Sequence, residues 1–119
     1  MPARTLIIIN DPPYGTERCY NALRLALALP KADPSMEVTV FLMADAVAAA
    51  KAGQKTPDGY YIIERMLKRV LASNGDVLLC GTCIDARGIA EGDMISGARR
   101  STMDELAAAT VAAGKVLVF

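Results

Sequence analysis

The sequence predicts an α/β domain on a mostly parallel sheet, and three observations lead there. Four short apolar runs, TLIII (5–9), VTVFLM (38–43), DVLLC (76–80) and KVLVF (115–119), are nearly continuous rather than alternating. That is the look of strands covered on both faces. Helical patterns separate them, and regular alternation of buried strands with helices builds a parallel sheet. The chain has 119 residues, 53% of them hydrophobic, which suits one domain spanning 1–119 with a real core.

The intervening stretches read as helices in order. TERCYNALRLALAL (16–29) has Thr16 as a cap and Glu17 in the first turn, and is expected to stop before Pro30. DAVAAAKAG (45–53) reads from a capping Asp45 to a terminal Gly53. In YYIIERMLKRVLASNG (60–75), Ile62, Ile63, Met66, Leu67, Val70 and Leu71 share one face. Glu64, Arg65, Lys68 and Arg69 share the other, and Asn74-Gly75 ends the helix. STMDELAAATVAAG (101–114) carries a capping box, Thr102 with Glu105. MISGA (94–98) offers a fifth short strand. No repeat, linker or low-complexity tract interrupts this order.

Composition excludes several chemistries. There is no histidine, so Ser-His-Asp and Cys-His pairs and His-ligated metal sites within one chain are out. Thirteen basic and thirteen acidic residues cancel, giving no global electrostatic reason for nucleic acid or an anionic membrane. No apolar run approaches the roughly 20 residues of a membrane span. LIII before NDPP is too short for a signal peptide, and three cysteines read as reduced thiols, so a cytoplasmic location is expected. There is no G-x-G-x-x-G and no Walker pattern.

Ligands of parallel sheets sit at the carboxyl ends of the strands. CGTCIDARG is such an end. Cys80 should close the strand, Gly81 should free the turn, and Cys83 should fall in a loop. Cys80 reads either as a small buried hydrophobe or as a reactive thiol. For the second reading, Arg87 lies seven residues on, where a folded-back loop could bring its guanidinium to the thiolate, and Gly88 permits close approach. Asp85 opposes this unless it pairs with Arg87. The C-x-x-C spacing matches redox dithiols, whose first cysteine opens a helix; IDARGIAEGD, with two glycines, lacks a clean helical period. One C-x-x-C supplies only two of four zinc ligands. NDPPYGTE could be a rigid shelf offering Asp11, Tyr14 or Glu17 to the site, or only a stiff connection with a cap. GQKTPDGYY reads as a solvated loop with Gln54 and Lys55, and Cys19 as packing.

NDPPYGTERCYNALRLALAL, VFLMADAVAAAKAGQKTPDGYY, LCGTCIDARGI and STMDELAAATVAAGKVLVF, in this order, resemble the DsrE/DsrF-like family, most closely its small YchN-type subgroup. The resemblance covers essentially the whole chain, and C-x-x-C-x-D-x-R-G-I is its most specific element. It implies a three-layer α/β/α sandwich on about five strands, and assembly into trimers or hexamers. It also implies persulfide sulfur carried on Cys80, while Cys83 matches a second cysteine of the subgroup. The expected function is therefore sulfur carriage or transfer, with sulfane sulfur accepted on Cys80 and passed to an acceptor thiol. Arg87 would hold the persulfide, Gly81 and the loop amides would donate to it, and Cys83 could resolve it. Donor and acceptor proteins and a homo-oligomer are the expected partners, without direct nucleic-acid or membrane binding, and no metal or organic cofactor is called for. A Cys80/Cys83 dithiol oxidoreductase and a non-catalytic regulatory subunit remain as alternatives.

Overall fold

In a computed structural model, which describes residues 3–119, each of the four apolar runs forms a strand. They are β1 (Arg4–Ile9), β2 (Glu37–Leu42), β3 (Asp76–Cys80) and, after the short β4 (Arg99–Ser101), β5 (Lys115–Val118). All pairings are parallel, in the order β4-β3-β2-β1-β5. The helices are α1 (Arg18–Ala32), α2 (Ile63–Ala72), the short α3 (Gly81–Ala86) and α4 (Met103–Ala112).

Strand order and chirality together fix which face each helix covers. From β1 to β4 the chain steps across the sheet in one direction, then returns past all of them to β5. Crossovers between parallel strands are right-handed. The outward steps therefore put α1, α2 and α3 on one face, and the return puts α4 on the other. Alternating strand residues follow suit. Ile7, Val40 and Leu79 join Leu23, Leu67 and Ile84 in the larger core, while Leu6, Phe41 and Leu78 meet Leu106 of α4 in a smaller one.

α4 alone cannot cover its face. Val111 is 88% exposed, Val118 65% and Met103 62%. The register sets Val116 beside Leu6 and Val118 beside Ile8, so both valines lie on the α4 side.

Several elements differ from the sequence reading. α1 begins at Arg18, with the Thr16 hydroxyl accepting the Arg18 N–H at 3.3 Å. It also continues through Pro30, because a proline in the last turn forfeits a single backbone bond and the Asp33 N–H still closes onto the Leu29 carbonyl at 3.0 Å. The 45–53 stretch is a 3₁₀ segment over Ala44–Ala50, with Ala46, Val47, Ala49 and Ala50 buried, so most of its apolar side chains offer no open surface. MISGA forms no sheet strand. Met94 bridges antiparallel to Lys51, the Ile95 N–H reaches the Ala50 carbonyl at 2.8 Å, and the fifth strand comes later, at Arg99. Glu64 is buried on α2 rather than solvated, accepting the Gln54 N–H at 2.9 Å and pairing with Lys68 at 2.9 Å. Thr102 caps α4 as expected, accepting the Glu105 N–H at 3.2 Å. The Glu105 carboxylate, however, turns to Ser101 and Arg99 instead of completing the box.

The two cores predict unequal costs. Leu106→Ala at the rim of the small core should destabilise by about 2–3 kcal/mol, and Leu67→Ala in the enclosed core by about 3–5 kcal/mol. Urea midpoints of the two variants check this, and an inverted order would contradict the assignment of faces.

Candidate functional site

β3 ends at Cys80 and α3 starts at the next residue, so Cys80 is the N-cap of a helix. The sequence reading of a loop here was wrong. Six residues are too few to show a helical period, yet enough for one turn that leaves its first N–H groups free. Gly88, in the left-handed region at φ +63°, ends the turn, and the Ile89 N–H closes onto the Ile84 carbonyl at 3.2 Å. Nothing approaches Gly88 closely; the turn is what needs glycine. A Cβ at Gly81 would lie 2.7 Å from the Arg100 guanidinium carbon, so a side chain there would push that guanidinium aside.

The half-buried Cys80 thiol lies 3.3 Å from the Thr82 hydroxyl. Burial pushes its pKa up. Hydrogen bonds from the Cys83 thiol, the Thr82 hydroxyl and the backbone N–H groups of Cys83 and Thr82 outweigh that and leave it below the ordinary cysteine value. Cys83 goes the other way. Burial and its bond to Cys80 raise it, against the Ala44 N–H, 3.2 Å from its sulfur, and the charge of Arg87. Ala44 holds this position at φ +52°, a left-handed conformation unusual for a residue with a Cβ. Burial, reinforced by Asp11, pushes Cys19 up to about 12, as befits a packing cysteine with no exposure. Three free cysteines thus occupy three electrostatic environments, and Cys80 alone is shifted toward thiolate.

Arg87 does not reach Cys80. Its guanidinium binds Asp45 through Nε and Nη2 at 2.9 Å and the Cys83 carbonyl through Nη1 at 3.2 Å, so its charge falls on Cys83. Asp85 does not pair with Arg87 either; it takes Arg100 in a fork at 2.9 and 2.7 Å, and Glu91 takes the same guanidinium at 3.2 Å. The donors to Cys80 are the amides of Thr82 and Cys83, not that of Gly81. Cys80 opens on a pocket of about 180 Å³ lined by Phe41, Thr82, Arg100, Ser101 and Met103 among others.

The NDPPYGTE shelf faces elsewhere. The Tyr14 hydroxyl donates to Gln54 Oε1 at 2.6 Å and accepts the Ile63 N–H at 3.1 Å, pinning the loop before α2. Gln54 is a structural hub, its amide also donating to the Ala49 and Lys51 carbonyls at 2.8 and 2.9 Å. Asp11 accepts from Thr16 at 3.0 Å, and Glu17 is exposed at the start of α1. None of the three lines the Cys80 pocket.

Sequence reasoning missed Thr82, Ala44 and Arg100. Thr82 was visible as a hydroxyl inside C-x-x-C. Arg100 became legible only once β4 was placed, because the register sets Arg100 beside Leu79 and Ser101 beside Cys80. Among the described residues no cluster of three or more Cys, Asp or Glu is arranged to hold a metal ion.

The DsrE/DsrF-like family model matches residues 3–119. Protein YchN of Escherichia coli is 44% identical over 116 residues, 98% of each chain, and an uncharacterised protein of Methanocaldococcus jannaschii is 39% identical over 114 residues, 95% of this chain and 96% of that one. The crystal structure of the E. coli YchN protein superposes with a TM-score of 0.93, covering 98% of this chain and 99% of that one. A protein of unknown function from Methanobacterium thermoautotrophicum shares the fold at 11% identity, with a TM-score of 0.78 and coverage of 95% and 96%.

Iodoacetamide should label Cys80 first, Cys83 more slowly, and Cys19 only on unfolding. Cys83→Ala should move the pH midpoint of Cys80 labelling upward, because the largest stabilising hydrogen bond is lost. Adding Arg87→Ala to Cys83→Ala should leave the midpoint of the single variant in place, and a further climb would show that the cation acts on Cys80 directly.

Proposed function

The chain belongs to the DsrE/DsrF-like family, and from that premise we propose that it is a sulfur carrier, accepting sulfane sulfur on Cys80 as a persulfide and passing it to an acceptor thiol. The observation that carries this reading is the Cys80 thiol itself, half-buried, held toward thiolate by the Cys83 thiol, the Thr82 hydroxyl and two amides, and open to a small pocket. The Cys80 thiolate attacks the outer sulfur of a donor persulfide R–S–SH. The new S–S bond gives Cys80–S–SH as the donor's S–S bond breaks and R–S⁻ departs. An acceptor thiolate then attacks the outer sulfur and restores the Cys80 thiolate, with no net oxidation. Cys83 could instead attack the inner sulfur, giving a Cys80–Cys83 disulfide and releasing hydrosulfide. Its raised pKa keeps it mostly protonated, which delays that side reaction. Arg87, bridging Asp45 and the Cys83 carbonyl, is a positioning residue for the Cys83 turn rather than a ligand of the persulfide.

One observation favours a second reading. Two thiols that shift each other's pKa in opposite directions, the first at a helix N-cap, are the arrangement of a dithiol oxidoreductase. Intact mass after incubation with a persulfide donor separates the two. The carrier gains one sulfur on wild type and on Cys83→Ser, and none on Cys80→Ser. Equal loss of activity toward disulfides in either single variant, with no sulfur gained, establishes the dithiol instead.

The cytoplasm, which keeps thiols reduced, is the compartment this chemistry suits. Assembly is part of the proposal. The Val111, Val116, Val118 and Met103 face is too apolar for water, and Met103 also rims the Cys80 pocket, so a partner copy on α4 and β5 would border the site. Light scattering should give a closed homo-oligomer, a trimer or hexamer, and the pair Val111→Glu and Val118→Glu should reduce it to monomer. A monomeric wild type at micromolar concentration would end the idea.

A further inference from the structure

All four tyrosines of the chain meet in one array, on the side of the sheet away from α4. Tyr61 stacks on Tyr20 at 4.1 Å and on Tyr60 at 4.4 Å. Beside the array, α1 and α2 leave an open groove of about 440 Å³. On α1 its lining recurs at helical spacing, Tyr20, Arg24, Leu27, Ala28 and Lys31. This stripe is separate from the buried one, Cys19, Ala22, Leu23 and Ala26. Tyr61, Met66 and Arg69 complete the opposite wall.

We propose that this groove docks an acidic segment of a partner protein, with apolar side chains on the Tyr20–Leu27–Met66 floor and carboxylates on Arg24, Lys31 and Arg69. Charge complementarity is the first reason. The chain is neutral overall, yet the groove holds three cations and no acid, and among the described residues no carboxylate forms an ion pair with any of the three. Shape is the second. The stripe from Tyr20 to Lys31 runs about 16 Å at 1.5 Å per residue, the length of some three helical turns, and the groove is open along it. The aromatic geometry argues against nucleic acid. Tyr61 already carries a ring on Tyr20 and on Tyr60, and the Arg24 guanidinium sits 5.5 Å from the Tyr20 ring centre, so the groove lacks the free ring faces on which bases stack. The proposal is independent of the sulfur chemistry at Cys80.

The molecule supplies its own reporter. With no tryptophan and every tyrosine in this array, intrinsic tyrosine emission reads the groove. Random peptides of about 16 residues would be displayed and selected on the wild-type protein. The best peptide free of Tyr and Trp would then be titrated while tyrosine emission is followed. Acid-rich peptides with apolar residues three and four apart should emerge and change the emission saturably. Arg24→Glu with Arg69→Glu should bind them about tenfold more weakly, since two rim charges turn repulsive, with Lys31→Glu intermediate. These side chains are exposed, and far-UV circular dichroism confirms the fold of each variant. The proposal is overturned if no peptide is selected, if those selected lack an acid excess, or if charge reversal leaves affinity unchanged. A 20-nucleotide oligothymidylate binding more tightly than the best peptide would assign the groove to nucleic acid instead. A change of oligomeric mass in the charge-reversed protein would assign it to a second copy.

Discussion

Right-handed crossover between parallel strands is the constraint from which the rest of this molecule follows. Once β1 to β4 are laid out in one direction and β5 returns beside β1, three helices must share one face and α4 must stand alone on the other. The crowded face acquires the large core and, outside it, the α1–α2 groove. The sparse face keeps a few valines and a methionine exposed. The strand ends between the faces hold Cys80, which touches both cores. Three surfaces of different chemistry, one apolar, one thiol-bearing and one cationic, are thereby separated in a chain of only 119 residues.

Within the thiol site, dipoles rather than charges set the two cysteines apart. The obvious cations are already engaged, Arg87 by Asp45 and Arg100 by Asp85 and Glu91. A cation paired with a carboxylate projects little net field, whereas short-range hydrogen bonds from the Cys83 thiol, the Thr82 hydroxyl and the turn amides keep their effect. Such a site stabilises a thiolate without attracting every passing anion, and it is little screened by salt. The α3 turn that supplies the amides is held in turn by Ala44, whose strained backbone presents its N–H to Cys83, and by the Arg87–Asp45 pair. The corner after β2 and the turn after β3 therefore form one unit.

The sequence by itself determined four of the five strands, their parallel class, the Thr102 cap and the place of Cys80 at a strand end, while the strand it offered at 94–98 lies instead at Arg99–Ser101. Each follows from local composition and period, which burial on both sheet faces imprints directly on the chain. Only the tertiary structure decided the partners. Arg87 was assigned to Cys80 from seven residues of separation, but a helical turn points it back to the Cys83 carbonyl and out to Asp45, 42 residues away. Glu64 looked solvated because its helical face is polar, and it is buried because the Gln54 loop folds over it. The four tyrosines lie at 14, 20, 60 and 61, and no local period links them. They meet because β1, β2 and β3 lie side by side in the sheet, which sets the two crossover helices α1 and α2 against each other on one face. Pairings of this kind depend on where distant elements dock, and docking is fixed by sheet order and handedness rather than by any short stretch of residues.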